Sequence, residues 1–482
     1  MSIISAKYIF RCKVTLLFAY IQIFYYLCAV KKHKTMTDTF ILEGRICSTP
    51  RLRSIAAEAK SDKIYLQLKP DIRWVAYSQE RMEALMDDTG AAMVYADRFQ
   101  QQGGTVTQAP VIDCQEGALR DDFDFGSVLL VRTELMRKAL EQTDRDWKYA
   151  GLYDLRLRLS RMGELLHVSE YMYYEHEEDT RKSGEKLFDY VDPKNREVQT
   201  EMEEAVTEHL KAVGAYLEPE FKDTDTEAGE FEYEASVVIP CKNRVRTIET
   251  AIRSALAQKT ESRYKFNVIV VDDNSTDGTA EVIKRIVAEG HENLVYIAQD
   301  KTWHAIGGNW NAALHHEKCG RFAIQLDSDD TYSGPDTVQK FIDTFHRERC
   351  AMVIGTYQLT DFDGHQLPPG VIDHKEWTPD NGRNNALRIN GLGAPRAFFT
   401  PLLRQLNFPT TKYGEDYAVG LRISREHKIG RIYDVLYNCR RWDDNSDANC
   451  DIQTMNANNL YKDRLRTWEL KARIALNRQK RK

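Results

Sequence analysis

The stretch from Arg321 to Asp330, RFAIQLDSDD, constrains the fold most, because a short apolar run ends abruptly in carboxylates. Residues 322–326 predict a buried strand. A strand that stops at Asp327, Asp329 and Asp330 places these carboxylates at the carboxyl edge of a sheet, where open α/β folds bind ligands. Carboxylates are hard oxygen ligands, so the junction is a candidate Mg²⁺ or Mn²⁺ site. A polar turn after a strand is the open alternative.

Composition limits the class of protein. The chain has 482 residues, of which 42% are hydrophobic and 29% charged, so it can bury the cores of two or three domains. The formal net charge of -6 argues against nucleic acid as the main partner, because neutralising phosphates needs a basic face. The nine cysteines are scattered without C-x-x-C pairs, which favours a reducing, cytoplasmic compartment.

The N-terminal residues 1–35 contain an apolar run, VTLLFAYIQIFYYLCAV, at 14–30, with basic residues on both sides. Its length is at the lower limit for a membrane span. No small-residue cleavage site follows, which argues against a secretory signal. Two interpretations stay open: a membrane anchor, or an upstream extension with Met36 as the true start.

The next segments predict two modules separated by a linker. Residues 36–195 alternate short apolar runs, such as 64–68 and 91–95, with helical patterns, which predicts a first α/β module. Residues 196–232 begin with a helical period and continue into an acidic run, which predicts a helix and a solvated linker. Residues 233–450 then carry a clearer α/β pattern.

Four continuous apolar strands separated by helices indicate a parallel sheet in residues 233–450. They carry the sequences SVVIP, FNVIVV, LVYIA and FAIQL. The second ends in DDNSTDGT, which contains turn formers and helix N-caps. No G-x-G-x-x-G fingerprint and no Walker A sequence occurs, which argues against a dinucleotide oxidoreductase and a P-loop enzyme.

The ordered set of motifs resembles family 2 glycosyltransferases of the GT-A fold. The chain carries VVIPCKNR on the first strand, VVDDNSTDGT on the second, GGNWNAAL after the third and LDSDD on the fourth. Further on, YGEDY at 413–417 is similar to the acceptor-site E-D motif, and Asn438-x-x-Arg441-Trp442 to the Q-x-x-R-W motif. Two positions depart from the family: Asn438 replaces the usual Gln, and Trp310 precedes Asn311 where Arg is frequent.

The resemblance implies an α/β fold, a GT-A Rossmann-like mixed sheet preceded by a partial GT-A-like module. It implies a nucleoside diphosphate sugar, expected to be a UDP-sugar, bound over the carboxyl edge of the sheet. Asp272 or Asp273 would accept a hydrogen bond from the base, and Asp327 would lie near the ribose. The full set expected to bind the nucleotide sugar is Pro240, Asn243, Asp272, Asp273, Asn311 and Asp327.

The resemblance also assigns the chemistry. Asp329, with Asp327, would hold Mn²⁺ or Mg²⁺, which helps the diphosphate to leave as a Lewis acid. Asp416 would take the proton from an acceptor hydroxyl, and direct displacement would invert the anomeric centre. The acceptor would be a saccharide or a lipid-linked glycan. The residues expected on the acceptor or diphosphate side are Glu415, Arg441 and Trp442.

Two carboxylate pairs have simpler interpretations. Glu415 and Asp416 could be a charge pair at the start of a helix over 417–425, where the helix dipole favours anions. Asp361-Phe362-Asp363 is followed by Gly364, which predicts a hairpin turn and not a metal site.

An internal repeat connects the two modules. YDLRLRLSR at 153–161 aligns with YAVGLRISR at 417–425, and LQLKPD at 66–71 aligns with IQLDSD at 324–329. The repeat predicts a degenerate first module without chemistry. Lys69 replaces Asp327, Gly151 and Leu152 replace the E-D pair, and Glu177 replaces Arg441. An ammonium would repel a divalent cation, and an aliphatic side chain cannot accept a proton.

The tail, residues 451–482, predicts a basic C-terminal helix. It either packs on the domain with a solvated outer face or contacts the inner face of a membrane as a peripheral helix. The resulting hypothesis is a cytoplasmic, metal-dependent, inverting glycosyltransferase of glycan or surface polysaccharide synthesis. Two rivals remain: a nucleotidyltransferase of similar fold and a non-catalytic glycan-binding scaffold.

Overall fold

The structure is a computed structural model that describes residues 37–42, 44–177, 195–299, 305–442 and 450–481. The apolar run 14–30 lies outside these residues. Among the helices that are described, none combines the length and the apolar content that a membrane crossing requires.

The N-terminal sheet has seven strands in the order β1-β2-β6-β4-β7-β3, with β5 paired to β4. Its strands are β1 Asp38–Ile41, β2 Lys63–Gln67, β3 Arg73–Trp74, β4 Met93–Gln102, β5 Thr105–Ala109, β6 Val128–Arg132 and β7 Leu165–His176. Its helices are α1 Thr49–Glu58, α2 Ser78–Thr89, α3 Thr133–Glu141 and α4 Gly151–Leu159, followed by α5 Arg196–Val213.

The C-terminal sheet has nine strands in the order β10-β9-β8-β11-β15-β13-β16-β12, with β14 paired to β13. Its strands are β8 Ala235–Cys241, β9 Phe266–Asp272, β10 Leu294–Ala298, β11 Phe322–Gln325, β12 Thr331–Tyr332, β13 Met352–Thr360, β14 Gln366–Ile372, β15 Arg396–Phe399 and β16 Ile429–Arg440. The helices are α6 Ile248–Leu256, α7 Thr279–Val287, α8 Ala305–Leu314, α9 Thr337–Glu348, α10 Gly382–Asn385, α11 Thr400–Leu406, α12 Glu415–Ser424 and α13 Ile452–Lys480.

Strands β8 to β11 confirm the predicted parallel arrangement. β8 pairs in parallel with β9 and β11, and β9 with β10. All four residues of β11 are buried, and so is Leu326 after it. β11 lies in the middle of the sheet, so its carboxyl end, where Asp327 follows, opens between neighbouring strands.

The two sheets share strand order and strand direction over seven strands. β1-β2 and β8-β11 are parallel, β2-β6 and β11-β15 are antiparallel, and β4-β7 and β13-β16 are parallel. The pairs β6-β4 and β15-β13, β3-β7 and β12-β16, and β5-β4 and β14-β13 are all antiparallel. The C-terminal sheet adds only β9 and β10 beyond β8. The architecture therefore repeats as the sequence does.

The helices follow the same repeat. α4 begins at Gly151 and α12 at Glu415, the two positions that the sequence alignment pairs. Tyr153 on α4 donates its hydroxyl hydrogen bond to the carbonyl of Leu119, as Tyr417 on α12 does to Ala386. α5 packs on α4, and α13 packs on α12.

One hydrophobic core joins both modules. It contains Trp147 and Tyr153 from the N-terminal module, Leu210 from α5, and Leu392 and Leu465 from the C-terminal part of the chain. The inner face of α13 is buried, which agrees with the packed interpretation of the basic tail. The modules thus bury apolar surface against each other, which stabilises both.

The acidic segment after α5 is not the solvated linker that its composition predicts. The backbone of Leu217 exchanges hydrogen bonds with the side-chain amide of Asn384, and Thr224 and Thr226 are buried. The guanidinium of Arg383 lies 4.4 Å from the ring centre of Phe221. These contacts hold the segment against the C-terminal module even though its charge favours water.

Gly117 provides a test of the contact between the N-terminal module and α13. A Cβ at this position would lie 2.1 Å from the backbone nitrogen of Thr467, which cannot move without displacing the helix. We expect Gly117→Ala to lower the free energy of unfolding by about 1–3 kcal/mol, as overpacking does. Chemical denaturation measures this loss.

Gly334→Ala is the control, because its Cβ would meet only the Asp336 carboxylate, at 3.3 Å. Equal stability of the two variants would contradict the tight packing of α13 against the N-terminal module.

Candidate active site

A cavity of about 1090 Å³ opens at the carboxyl end of the central parallel strands. The ends of β8 and β9, the start of α8, the end of β11 and the start of α12 surround it. Its wall contains seven of the sequence-predicted residues, including both carboxylates of the E-D pair; they are Pro240, Asp273, Asp327, Asp329, Glu415, Asp416 and Arg441.

Each of the three carboxylates after β11 has different partners. Asp327 accepts two hydrogen bonds from the Gln325 amide, at 2.9 and 3.0 Å. Asp330 is buried and accepts a hydrogen bond from the backbone of Arg440, at 2.7 Å. Asp329 accepts one from the indole of Trp442, at 3.2 Å. All three carboxylates line the cavity, and Asp330 in addition holds the backbone of β16 through its hydrogen bond from Arg440.

Close packing of like charges perturbs this cluster. Burial raises the pKa of Asp327, and the nearby Asp329 carboxylate raises it further, although the hydrogen bonds from Gln325 act in the opposite direction. Burial raises the pKa of Asp330 well above its ordinary range, and the nearby Asp329 and Asp327 carboxylates raise it further. Such an excess of negative charge is the environment in which a divalent cation is stabilised.

Helix α12 begins two residues earlier than predicted, so Glu415 and Asp416 both lie in its first turn after Gly414. Burial raises the pKa of Glu415 to about 8, and the adjacent Asp416 carboxylate adds to the shift. Glu415 is therefore protonated at neutral pH. Asp416 forms an ion pair with Arg396 and accepts a hydrogen bond from the backbone of Tyr417. The two neighbours thus have different surroundings: Glu415 is a buried carboxyl with a raised pKa, and Asp416 is paired with a guanidinium.

Arg244 presents a cation to the same cavity. Its Nε atom is buried without a hydrogen-bond partner among the described residues and lies 3.8 Å from Oδ2 of Asp329. Lys242, Lys412 and Arg441 also line the wall. A buried donor without a partner next to carboxylates suits an anionic ligand that brings its own acceptors.

The structure separates the two candidates for base recognition. Asp273 lines the cavity, 3.1 Å from the Lys242 ammonium. Asp272 instead accepts hydrogen bonds from the backbone and hydroxyl of Ser275, and from the Tyr296 hydroxyl at 3.3 Å. Asp272 thus fixes the turn after β9, and Asp273 is the carboxylate available to a ligand.

Two predicted nucleotide-binding asparagines have structural partners. Asn311 is buried, and its amide exchanges hydrogen bonds with the backbone of Phe408 at 2.8 Å. Asn243 has a positive φ of 52° and accepts a hydrogen bond from the backbone of Thr276. Neither residue contributes to the cavity wall. Both amides join loops in this structure, and their contact with a nucleotide stays a prediction.

Trp442 lies at the rim rather than in the wall. Its indole ring is 5.5 Å from the ring of Phe362, and the Arg246 guanidinium carbon is 4.9 Å from its centre. Arg441 lines the cavity, and its backbone nitrogen donates to the carbonyl of Thr360 at 2.8 Å. Both residues of the R-W pair therefore border the carboxylate cluster.

The second D-x-D forms the predicted hairpin turn between β13 and β14. Oδ1 of Asp361 accepts backbone hydrogen bonds from Asp363 and His365, both at 2.9 Å. These carboxylate contacts fix the local turn, outside the cavity wall.

Several wall residues were not predicted. They are Lys242, Arg244, Asn309, Trp310, Gln325, Arg396 and Lys412. Two of them lie inside motifs that the sequence analysis used. Gln325 precedes Asp327 by two residues in RFAIQLDSDD, and Arg244 directly follows Asn243 in VVIPCKNR. Arg396 stands only before a short buried run, AFF, and no spacing connects it to the carboxylates.

The fold is α/β, with two mixed sheets and a cavity lined by carboxylates at the carboxyl end of the central parallel strands. Residues 236–404 match the family model of Glycosyl transferase family 2.

Curated relatives agree with this family. Poly(ribitol-phosphate) beta-glucosyltransferase of Bacillus spizizenii is 26% identical over 212 residues, which are 43% of this chain and 32% of that protein. The UDP-Glc:alpha-D-GlcNAc-diphosphoundecaprenol beta-1,3-glucosyltransferase WfgD of Escherichia coli is 25% identical over 205 residues, 42% of this chain and 74% of that protein. The chain spans about a third of the length of the first of these.

Among solved structures, S. aureus TarS 1-349 in complex with UDP-GlcNAc matches with a TM-score of 0.38 and 21% identity. The match covers 45% of this chain and 61% of that structure.

The raised pKa of Glu415 predicts a pH dependence of stability. The folded protein keeps this proton up to about pH 8, whereas the unfolded chain releases it near the ordinary value of 4.5. Between these values the folded state binds more protons, so this group makes stability fall as pH rises. We expect Glu415→Gln to remove that part of the decline in denaturant unfolding between pH 5 and pH 8.

Glu141→Gln, at an exposed position at the end of α3, should keep the wild-type pH dependence. If Glu415→Gln and the wild type lose stability in parallel, the buried carboxyl does not hold its proton.

Proposed function

We propose that this chain is a metal-dependent, inverting glycosyltransferase that moves a sugar from a UDP-sugar to a hydroxyl of a saccharide or lipid-linked glycan acceptor. Its product would contribute to a glycan or surface polysaccharide. The observation that carries the proposal is the convergence of Asp327, Asp329 and the E-D pair on one cavity with Arg244.

The cavity wall divides into a donor side and an acceptor side. Asp273 and Asp327 lie on the donor side, where they would accept hydrogen bonds from the base and the ribose. Arg244 and Lys412 would donate to the diphosphate, Arg244 through a planar fork of N–H groups that matches phosphate oxygens and Lys412 through its single ammonium. Asp416 lies on the acceptor side and would take the proton from the attacking hydroxyl.

Glu415 has a different task in this proposal. Its protonated carboxyl can donate a hydrogen bond to the acceptor or the transferred sugar, which a carboxylate cannot do. Attack by the hydroxyl that Asp416 deprotonates, on the face opposite the leaving diphosphate, would invert the anomeric centre.

Asp329 and Asp327 fit a divalent cation, because two carboxylates at the end of one strand suffice for Mg²⁺ or Mn²⁺ when a diphosphate supplies further oxygens. Asp330 is turned towards β16 and would not take part. The cation would neutralise the charge that develops on the diphosphate leaving group.

The N-terminal module is silent in this proposal. Lys69 replaces the first carboxylate, and its ammonium donates to the carbonyl of His176 and lies 3.5 Å from Glu175. Leu152 stands at the position of Asp416 and is buried. The module keeps Asp71 at the position of Asp329, but it lacks the first carboxylate of the metal pair and the base.

We also place the protein in the cytoplasm, at the inner face of the membrane. The described cysteines are all free. The exposed outer face of α13 carries Trp468, 59% exposed, between Arg464 and Lys471. Basic side chains around an aromatic residue suit an anionic lipid surface, and sedimentation with anionic vesicles that leaves the protein in solution would contradict this contact.

A donor screen tests the proposed function. Nucleotide sugars with Mn²⁺ should give transfer or slow hydrolysis with release of a nucleoside diphosphate. Asp329→Ala should abolish metal-dependent donor binding in calorimetry with little loss of stability. The control is Asp363→Ala in the hairpin turn, which should bind donor normally. Release of pyrophosphate from a nucleoside triphosphate would instead indicate a nucleotidyltransferase, and unchanged binding without metal would contradict the metal site.

The roles of Asp416 and Glu415 are tested as a pair. Asp416→Asn should keep donor affinity and reduce transfer by about 10²–10⁴-fold, the usual contribution of a positioned general base. Glu415→Gln should reduce transfer less, because an amide can still donate a hydrogen bond. Rates of transfer at saturating donor measure both effects. Near wild-type turnover of Asp416→Asn with an inactive Glu415→Gln would reverse the assignment.

A further inference from the structure

Arg396, the first residue of β15, lies between the donor and acceptor sides of the cavity. Its Nη1 atom forms an ion pair with Asp416 and donates a hydrogen bond to the carbonyl of Gly393 at 2.7 Å. Its Nε atom donates to the side-chain carbonyl of Gln325 at 3.1 Å. One guanidinium therefore contacts the candidate base and a neighbour of the donor carboxylate at once.

Gln325 completes the connection to the donor side. Its amide nitrogen donates to both oxygens of Asp327, and its carbonyl also accepts from the backbone nitrogen of Arg396 at 3.2 Å. Gln325 is 4% exposed, so its side chain has no room to turn away. The result is a continuous chain of contacts from Asp416 through Arg396 and Gln325 to Asp327.

The N-terminal module shows that the sheet forms without this chain of contacts. The β2–β6 pairing puts Gln67 opposite Val128. The β11–β15 register, continued by one residue past the pair of Ile324 and Ala397, puts Gln325 opposite Arg396 in the same way. Val128 is buried in the same strand order without a guanidinium. The fold therefore forms without an arginine at this position.

The charged members of the chain are absent together from the N-terminal module. Lys69 stands for Asp327, Leu152 for Asp416 and Val128 for Arg396, while the glutamine is kept as Gln67. An arginine that served packing alone would have no reason to be present only where both carboxylates are. The arginine is present in the module that has both carboxylates and absent from the module that shares only the strand order.

We propose that Arg396 is a positioning residue that orients Asp416 towards the acceptor and, through Gln325, fixes Asp327 for the donor. The inference rests on the proposed function, which it extends to a residue outside the family motifs. Arginine suits the task because its planar fork donates to two groups in fixed directions, whereas the single ammonium of lysine does not. Loss of the fork would leave both carboxylates present but misplaced.

A kinetic double-mutant cycle tests this role in the full-length protein. Arg396→Met should lower kcat at saturating donor by roughly 10²-fold, the scale of a small misplacement of a reacting group, and raise the donor Kd severalfold. Asp416→Asn should lower kcat and leave the donor Kd unchanged. If Arg396 acts through Asp416, the double variant should be no slower than Asp416→Asn alone, because residues that act as a unit are not additive.

Arg98→Met is the matched control. Arg98 is a buried arginine of the N-terminal module paired with Glu175 and Asp124. Its loss removes a comparable ion pair from the same fold and should leave kcat and donor Kd at wild-type values. If Arg396→Met gives no cooperative unfolding transition, Arg396→Lys enters the same cycle and should show the same non-additivity with a smaller loss.

The outcomes separate the two claims. An active wild type with full kcat in Arg396→Met, or losses that multiply in the double variant, would overturn the positioning role and leave the proposed function intact. A wild type that transfers no sugar from any nucleotide sugar would overturn the proposed function and this inference with it.

Discussion

Negative charge at the end of β11 is the constraint on which the rest of the C-terminal module depends. Asp327, Asp329 and Asp330 follow a fully buried strand, and burial raises the pKa of the first and last of them. The surrounding elements compensate this charge: β16 donates a backbone N–H, the R-W segment an indole N–H, and β11 itself the Gln325 amide. The negative charge that these donors do not compensate faces the cavity. In our proposal, a divalent cation neutralises this charge and a diphosphate supplies the cation's remaining oxygen ligands.

The N-terminal module shows the same fold without that constraint. It repeats the strand order from β1 to β7 and replaces the charged positions by Lys69, Val128 and Leu152. Its sheet forms without strands equivalent to β9 and β10. Its hydrophobic core is continuous with that of the C-terminal module. A sheet with this strand order therefore forms without these carboxylates, so folding alone does not require them in the C-terminal copy.

The sequence predicts elements better than side-chain directions. Apolar runs and turn residues located β11, the parallel strands and the repeat, because burial and strand period depend on local composition. The roles of Asp272 and Asn311 could not be read in this way, since motif position does not tell which carboxylate or amide turns inward. The sequence did not predict Arg396 as a site residue, because its partners Gln325 and Asp416 are distant in sequence. The helix α12 began early because Gly414 adopts a positive φ of 77°, which leaves Glu415 in the first turn.

One chain carries two copies of a sheet and, in our proposal, one active site. Calorimetric titration of the full-length protein with a nucleotide sugar and Mn²⁺ measures the number of donor sites. We expect one binding site per chain, lost in Asp329→Ala. A stoichiometry of two, or one site that survives this substitution, would contradict it.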